Sequence, residues 1–176
     1  MKKIFLALTL ATLAACGNDN PNPTLRGKDV LMTSDIDSLT GWIADPNALK
    51  PGPAHSGKYA LRVDQDHEFS PGYTAVLGQL TDTSIRGVRL EAWVYATDSN
   101  SSGKLEFVLR EADGKEMLRD LTQLDEVKSF GKWVPISKEI IFPPKVNHTA
   151  QVVLYVSRAD ARTPAYVDDL KLTALR

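Results

Sequence analysis

The chain has 176 residues, about one domain's worth of sequence. With 43% hydrophobic residues, 24% charged residues, 11 Gly and 10 Pro, it is not collagen-like, coiled-coil or disordered as a whole. A net charge of −1 lacks the positive balance of a nucleic-acid binder, and one cysteine with three histidines allows no intrachain disulfide and little material for a zinc site.

Residues 1–15 open with Met1-Lys2-Lys3 and continue as an apolar run from Ile4 to Ala15. This is the charged and apolar layout of a secretory signal. The run is too short to span a bilayer, which takes about 20 apolar residues. The sole cysteine closes it, in Leu13-Ala14-Ala15-Cys16. That tetrapeptide resembles the lipobox of bacterial lipoproteins. The resemblance implies cleavage before Cys16 and acylation of Cys16, which makes it a lipid anchor and neither a nucleophile nor a redox group. The alternative is an ordinary signal peptide with a chance cysteine. Cleavage takes Lys2 and Lys3 from the 21 basic residues and leaves 19 against 22 acidic ones, a net charge of −3. Two or three acyl chains anchor stably where one binds only marginally. Gly17, in place of the Asp that marks inner-membrane retention, implies the outer membrane of a cell envelope if the organism is diderm.

Residues 16–27 carry the cysteine and a polar, Pro- and Asn-rich segment that cannot bury enough surface to order itself. Fully extended, residues 17–27 reach about 35 Å and are read as a tether. Residues 28–176 are read as one domain.

From Lys28 the pattern is short alternating segments between turn residues. In Val88 to Tyr95, Val88, Leu90, Ala92 and Val94 share one face, and Arg89, Glu91, Trp93 and Tyr95 the other. Lys104 to Arg110 repeats the alternation with Leu105, Phe107 and Leu109, and Gln151 to Ser157 with Val152, Leu154 and Val156. Further strand candidates are Tyr59 to Val63, Tyr73 to Leu80, Trp133 to Ile141 and Ala165 to Leu172. Glu116 to Val127 is read as strand plus loop. Asp113-Gly114 is the best hairpin turn. Several short strands at this spacing predict an all-β sandwich or barrel.

Five groups of residues then follow in order: Asp35-Ile36-Asp37 with Gly41-Trp42; Ala54 to Val63; Leu90 to Tyr95; Gly131-Lys132-Trp133; and Ala165 to Leu172. The set resembles the CenC-like carbohydrate-binding modules, galactose-binding-like jelly rolls, from about Val30 to Leu172. The resemblance implies a jelly-roll β-sandwich and a carbohydrate partner. It also implies a structural Ca²⁺ held by Asp37 and Asp168 with loop carbonyls near Ser56 to Lys58, a set of hard oxygens suited to that ion. Asp37 stands where the family usually has the longer Glu. The alternative is that Asp37 and Asp168 are turn and strand-end residues satisfied by nearby amides.

Alternation nominates a ligand face carrying Arg89, Glu91, Trp93 and Tyr95. The matching phase on segments taken as neighbours adds Glu106 and Arg110, then Gln151 and Tyr155. Rings for stacking and charged groups for hydroxyls are what a sugar site needs. The alternative is an ordinary sheet face stabilised by cross-strand aromatic and charge pairs, with Trp93 covered by a loop and serving as core. Tyr73 is a peripheral candidate, and Trp42 and Trp133 are read as core plugs.

His55, His67 and His148 lie in separate segments and in no nucleophile or metal motif. Asp64, Asp66, His67 and Glu68 are read as a solvated loop. The chain is therefore expected to be a membrane-anchored, non-catalytic carbohydrate-binding lipoprotein. A protein-interaction lipoprotein with an envelope partner is the rival, and a hydrolase with two facing carboxylates comes third.

Overall fold

The computed structural model describes residues 29–38, 42–43, 49 and 52–176. The signal at 1–15, Cys16 and the tether to residue 27 lie outside the described residues, as does Gly41.

Ten strands are present among the described residues: β1 (Val30–Ser34), β2 (Trp42–Ile43), β3 (Leu61–Val63), β4 (Gly72–Val76), β5 (Gly87–Ala96), β6 (Lys104–Arg110), β7 (Glu116–Gln123), β8 (Trp133–Ile141), β9 (Gln151–Ser157) and β10 (Ala165–Leu175). They form two antiparallel sheets. The first has the order β1-β10-β5-β8, with β3 also pairing β10; the second has the order β2-β4-β9-β6-β7. Chain neighbours β5 and β6 thus fall in opposite sheets, the crossing-over of a jelly roll. The expected strand at Tyr73 to Leu80 is shorter: β4 ends at Val76, and Leu77–Leu80 form one helical turn, α1. The final strand runs three residues past Leu172.

The inward faces follow from the alternation. Val88, Leu90, Ala92 and Val94 of β5 meet Leu105, Phe107 and Leu109 of β6 and Val152, Leu154 and Val156 of β9 in one core. Truncating a side chain as fully buried as Phe107 to Ala costs about 3–5 kcal/mol. Trp42 is in this core as expected, tilted against Tyr73 at 5.7 Å. Tyr73, read from sequence as either a peripheral ligand residue or a structural one, packs on this core. It pairs in register with the inward-facing Leu154 and is itself buried.

The hairpin between β6 and β7 turns at Glu111 to Gly114. The Gly114 N–H donates to Glu111 O (2.9 Å), and Gly114 has φ +89°, a region open to glycine. Glu116 to Val127 is strand β7 followed by a short 3₁₀ turn at Asp125–Val127.

Candidate functional site

The outer face of the first sheet carries the β5 column. Arg89, Glu91, Trp93 and Tyr95 point away from the core as the alternation predicts. Their partners differ along the column. Arg89 pairs with Glu139 (2.7 Å), and Glu91 with Lys171 (3.1 Å). Tyr95 packs between Trp133 and Tyr166, with ring centroids 5.5 and 5.8 Å away. Trp133 is therefore an outer-face residue and not a core plug. It stands opposite Tyr95 in the β5–β8 register, so it shares the phase of Tyr95.

Trp93 is covered by a loop. The His55 ring lies on it, centroids 3.8 Å apart and planes 13° apart. A bulge in β10 delivers that loop. The register shifts between Asp168 and Lys171, and Asp169 takes φ +48°. The extra residue sets two carboxylates side by side on the outer face. Asp168 accepts from the His55 and Ser56 amides (2.8 and 3.2 Å), and Asp169 from the Ser56 hydroxyl (2.6 Å). Asp169 also contacts His55 Nδ1 at 2.5 Å. Burial pushes the Asp168 carboxyl above the usual aspartate range, against the three backbone amides that favour its ionised form.

Arg110 and Tyr155 are not on this face. They belong to β6 and β9, on the outer side of the second sheet. The proposed ligand set is thereby split between opposite sides of the sandwich. Strand phase says which residues share a side of one sheet, but not which sheet a strand enters.

The second sheet's outer face holds its own polar cluster. Tyr155 stands opposite Glu106 in register, and its hydroxyl donates to Glu106 (2.8 Å). Arg119 of β7 reaches Glu106, Tyr155 (2.8 Å) and Glu116 (2.5 Å). Glu106 is only 7% exposed although it faces outward. Phe69, 57% exposed, meets the Tyr155 ring edge-on at 6.0 Å and bridges to Ser157 at the end of β9. Burial raises the Tyr155 hydroxyl above its ordinary range. Hydrogen bonds to Glu116 and Tyr155 raise Arg119, and the same Arg119 bond lowers Glu116. Arg110 sits at the end of this face, beside Glu116 and Gln151. Phe69 and Arg119 were missed by sequence reasoning. Phe69 is a lone ring beside a Ser-Pro-Gly turn, and Arg119 falls in the segment of weakest periodicity.

Asp37 and Asp168 grip one loop from two sides. Asp37 accepts from the Lys58 amide (2.9 Å) and the Tyr59 amide (3.0 Å). All four carboxylate oxygens of the pair face N–H donors. A calcium ion takes six to eight oxygen ligands, so it would have to share these carboxylate oxygens with the amides they already accept from. Among the described residues no three His, Cys, Asp or Glu side chains converge on a metal position. Both carboxylates are engaged by backbone amides, five of them in all, and that arrangement fits a loop clasp better than a cation site.

Asp64 is buried, not part of a solvated loop. It pairs with Arg62 (2.5 Å) and His67 Nδ1 (2.7 Å) and accepts from the Asp66 and His67 amides, both at 2.9 Å. Burial works against its charge. The bonds from His67 and Asp66 and the Arg62 charge prevail and hold the carboxyl below the usual range.

The sequence matches no protein-family model and no curated protein. Solved structures of the same fold do match. The CBM22-1 xylan-binding domain of Paenibacillus barcinonensis Xyn10C superposes with a TM-score of 0.54 at 18% identity, covering 84% of this chain and 96% of that one. The C-terminal family 22 carbohydrate binding module of Clostridium thermocellum Xyn10B gives 0.56 at 14% identity, covering 83% and 93%. The CBM22-2 xylan-binding domain of the Paenibacillus enzyme gives 0.51 at 16% identity, covering 82% and 99%. The described domain thus has the jelly-roll fold of carbohydrate-binding modules.

Proposed function

We propose that this chain is a membrane-anchored, non-catalytic lipoprotein that binds a polysaccharide on the outer face of its second sheet. One observation carries the reading: the outward carboxylate of Glu106 is buried, held by Tyr155 and Arg119, and sits beside the exposed ring of Phe69. A sugar ring lays its C–H face on an aromatic ring and hydrogen-bonds fixed polar groups with its hydroxyls. Tyr155 and Phe69 provide the rings, and Glu106 and Arg119 the polar groups. The fold shared with xylan-binding domains supports the ligand class.

The same cluster supports a non-catalytic role. A glycosidase acid must hold its proton near neutral pH. Glu116 is pushed the opposite way by its hydrogen bond to Arg119. Acylated Cys16 would hold the domain at a bacterial cell envelope, at the outer membrane of a diderm. Labelling with a fatty-acid analogue, lost in Cys16→Ser, tests the anchor.

A glycan-array screen of the protein, wild type against Tyr155→Ala, tests the binding. Specific signal lost in a folded variant supports the reading; no signal from the wild type overturns it. The rival, an interaction lipoprotein with an envelope partner, is favoured by Phe130 and Ile141, both exposed next to and on β8. In that case crosslinking captures a partner through β8 and the array stays blank.

A further inference from the structure

The outer face of the first sheet has a groove of about 410 Å³ that the Tyr155 face does not share. Register fixes its rows. Trp93 stands opposite Pro135 of β8, and Glu91 stands between Ser137 of β8 and Lys171 of β10. Beyond Trp93 the face is aromatic, with Tyr95, Trp133 and Tyr166. Beyond Glu91 it is charged, with the Arg89–Glu139 pair. The groove opens where the two halves meet, with Asp169 at its margin.

Its volume lies in the range of small-ligand sites. Its walls differ in kind. Trp93 and Pro135 are flat and apolar, whereas Ser137 and the Glu91–Lys171 pair supply donors and acceptors. That pair is closed at 3.1 Å and has no net charge. A charged ligand would have to open it, but a ligand with hydroxyls can bond both partners while the pair stays intact. A neutral ring with one apolar face and a hydroxylated rim satisfies both walls.

The wall is also preorganised. His55 stacks flat on one face of the indole, Trp93 still lines the groove, and Asp169 fixes His55 and Ser56 in turn. An aromatic held by packing and by bonded neighbours presents a defined surface and loses little freedom on binding.

We infer that this groove is a second sugar site, for a neutral hydroxylated ring, so that one domain holds two glycan segments on opposite sides of the sandwich. The ligand class rests on the glycan reading above, but the residues are different. The test is calorimetric titration of the full chain in detergent with xylohexaose, cellohexaose and mannohexaose. Four proteins are compared: wild type, Tyr155→Ala, Trp93→Ala and Ser137→Trp. Ser137→Trp blocks the groove from an exposed position and leaves the Trp93 packing in place. The expected result is two equivalents bound by the wild type and one by each variant. Loss of all binding in Tyr155→Ala, with no loss in Ser137→Trp, overturns the second site and keeps the first. Loss of all binding in both groove variants, with none in Tyr155→Ala, keeps the groove and overturns the Tyr155 face. Loss in Trp93→Ala without loss in Ser137→Trp marks a folding defect and overturns the groove. No binding to any of the three sugars overturns both sites.

Discussion

The imidazole of His55 lies flat on the indole of Trp93, 3.8 Å away and within 13° of parallel. The contact joins a loop to a strand and is locked at its far side by Asp169. Aromatic contacts of this kind contribute about 0.5–1.5 kcal/mol beyond area burial. His55→Ala removes the contact and the Asp169 bond together. The expected loss of stability is about 1–2 kcal/mol. Tryptophan emission should move to longer wavelength as water reaches the indole. Unchanged emission and an unchanged denaturation midpoint would show that the loop does not cover Trp93 in solution.

On the opposite face, Glu106→Gln keeps the shape of the side chain and removes its charge. Arg119 then loses one of its two carboxylate partners, and a ligand hydroxyl loses a charged acceptor. Hydrogen bonds to charged groups contribute about 1.5–3 kcal/mol, which corresponds to roughly a 10- to 100-fold weaker Kd. Titration with a bound glycan should show that loss, with the far-ultraviolet spectrum unchanged. An unaltered Kd would remove Glu106 from the site.

The alternation made most of the core legible. Val88 to Val94, Leu105 to Leu109 and Val152 to Val156 point inward as their spacing requires. The partition into sheets was not legible. A strand's phase is local, but its neighbour is chosen by the crossover of the chain. Trp93 and Tyr155 therefore looked adjacent and lie on opposite faces. Asp168 shows a second limit. Its burial comes from residues 55 and 56, over a hundred positions earlier in the chain, which no local pattern reveals. Only its bond from the Asp169 amide is local, of the kind an Asp commonly makes in a turn.

Gly57 is required by the clasp that Asp37 makes on this loop. Its φ is +58°, and a Cβ there would lie 1.7 Å from Asp37 Oδ2. The left-handed conformation alone costs a side-chain-bearing residue about 1–2 kcal/mol. Relieving the clash also displaces the carboxylate from the Lys58 and Tyr59 amides. Gly57→Ala should therefore lose more than the conformational term, seen as a lower denaturation midpoint. A midpoint within error of wild type would show that Asp37 does not hold the loop.

Calcium gives a separate test of the same clasp. With the Asp37 and Asp168 oxygens facing amides, a chelator should leave Tm unchanged and added calcium should not raise it. A site filled at 100 times its Kd would add about 2.7 kcal/mol of stability. A calcium-dependent rise in Tm of that size, lost in Asp168→Asn, would mean that the loop reorganises to offer its oxygens to the ion.

The Asp64 cluster gives a pH dependence whose sign follows from its direction of shift. His67, the Asp66 amide and Arg62 outweigh burial and hold the folded-state carboxyl below its unfolded value. A depressed acid contributes stability that is fully present above the unfolded value, near 3.8 to 3.9, and is lost as pH falls through the folded one. Asp64→Asn lacks that contribution at every pH and leaves the Arg62 guanidinium without its carboxylate, at a cost of about 1–3 kcal/mol at neutral pH. The Tm gap between wild type and Asp64→Asn should therefore persist at neutral pH and narrow below pH 4. Asp168, raised by burial, acts in the opposite sense. It is present in both proteins and cancels in the difference. A gap that stays constant down to pH 2 would mean that the ion pair adds nothing beyond packing.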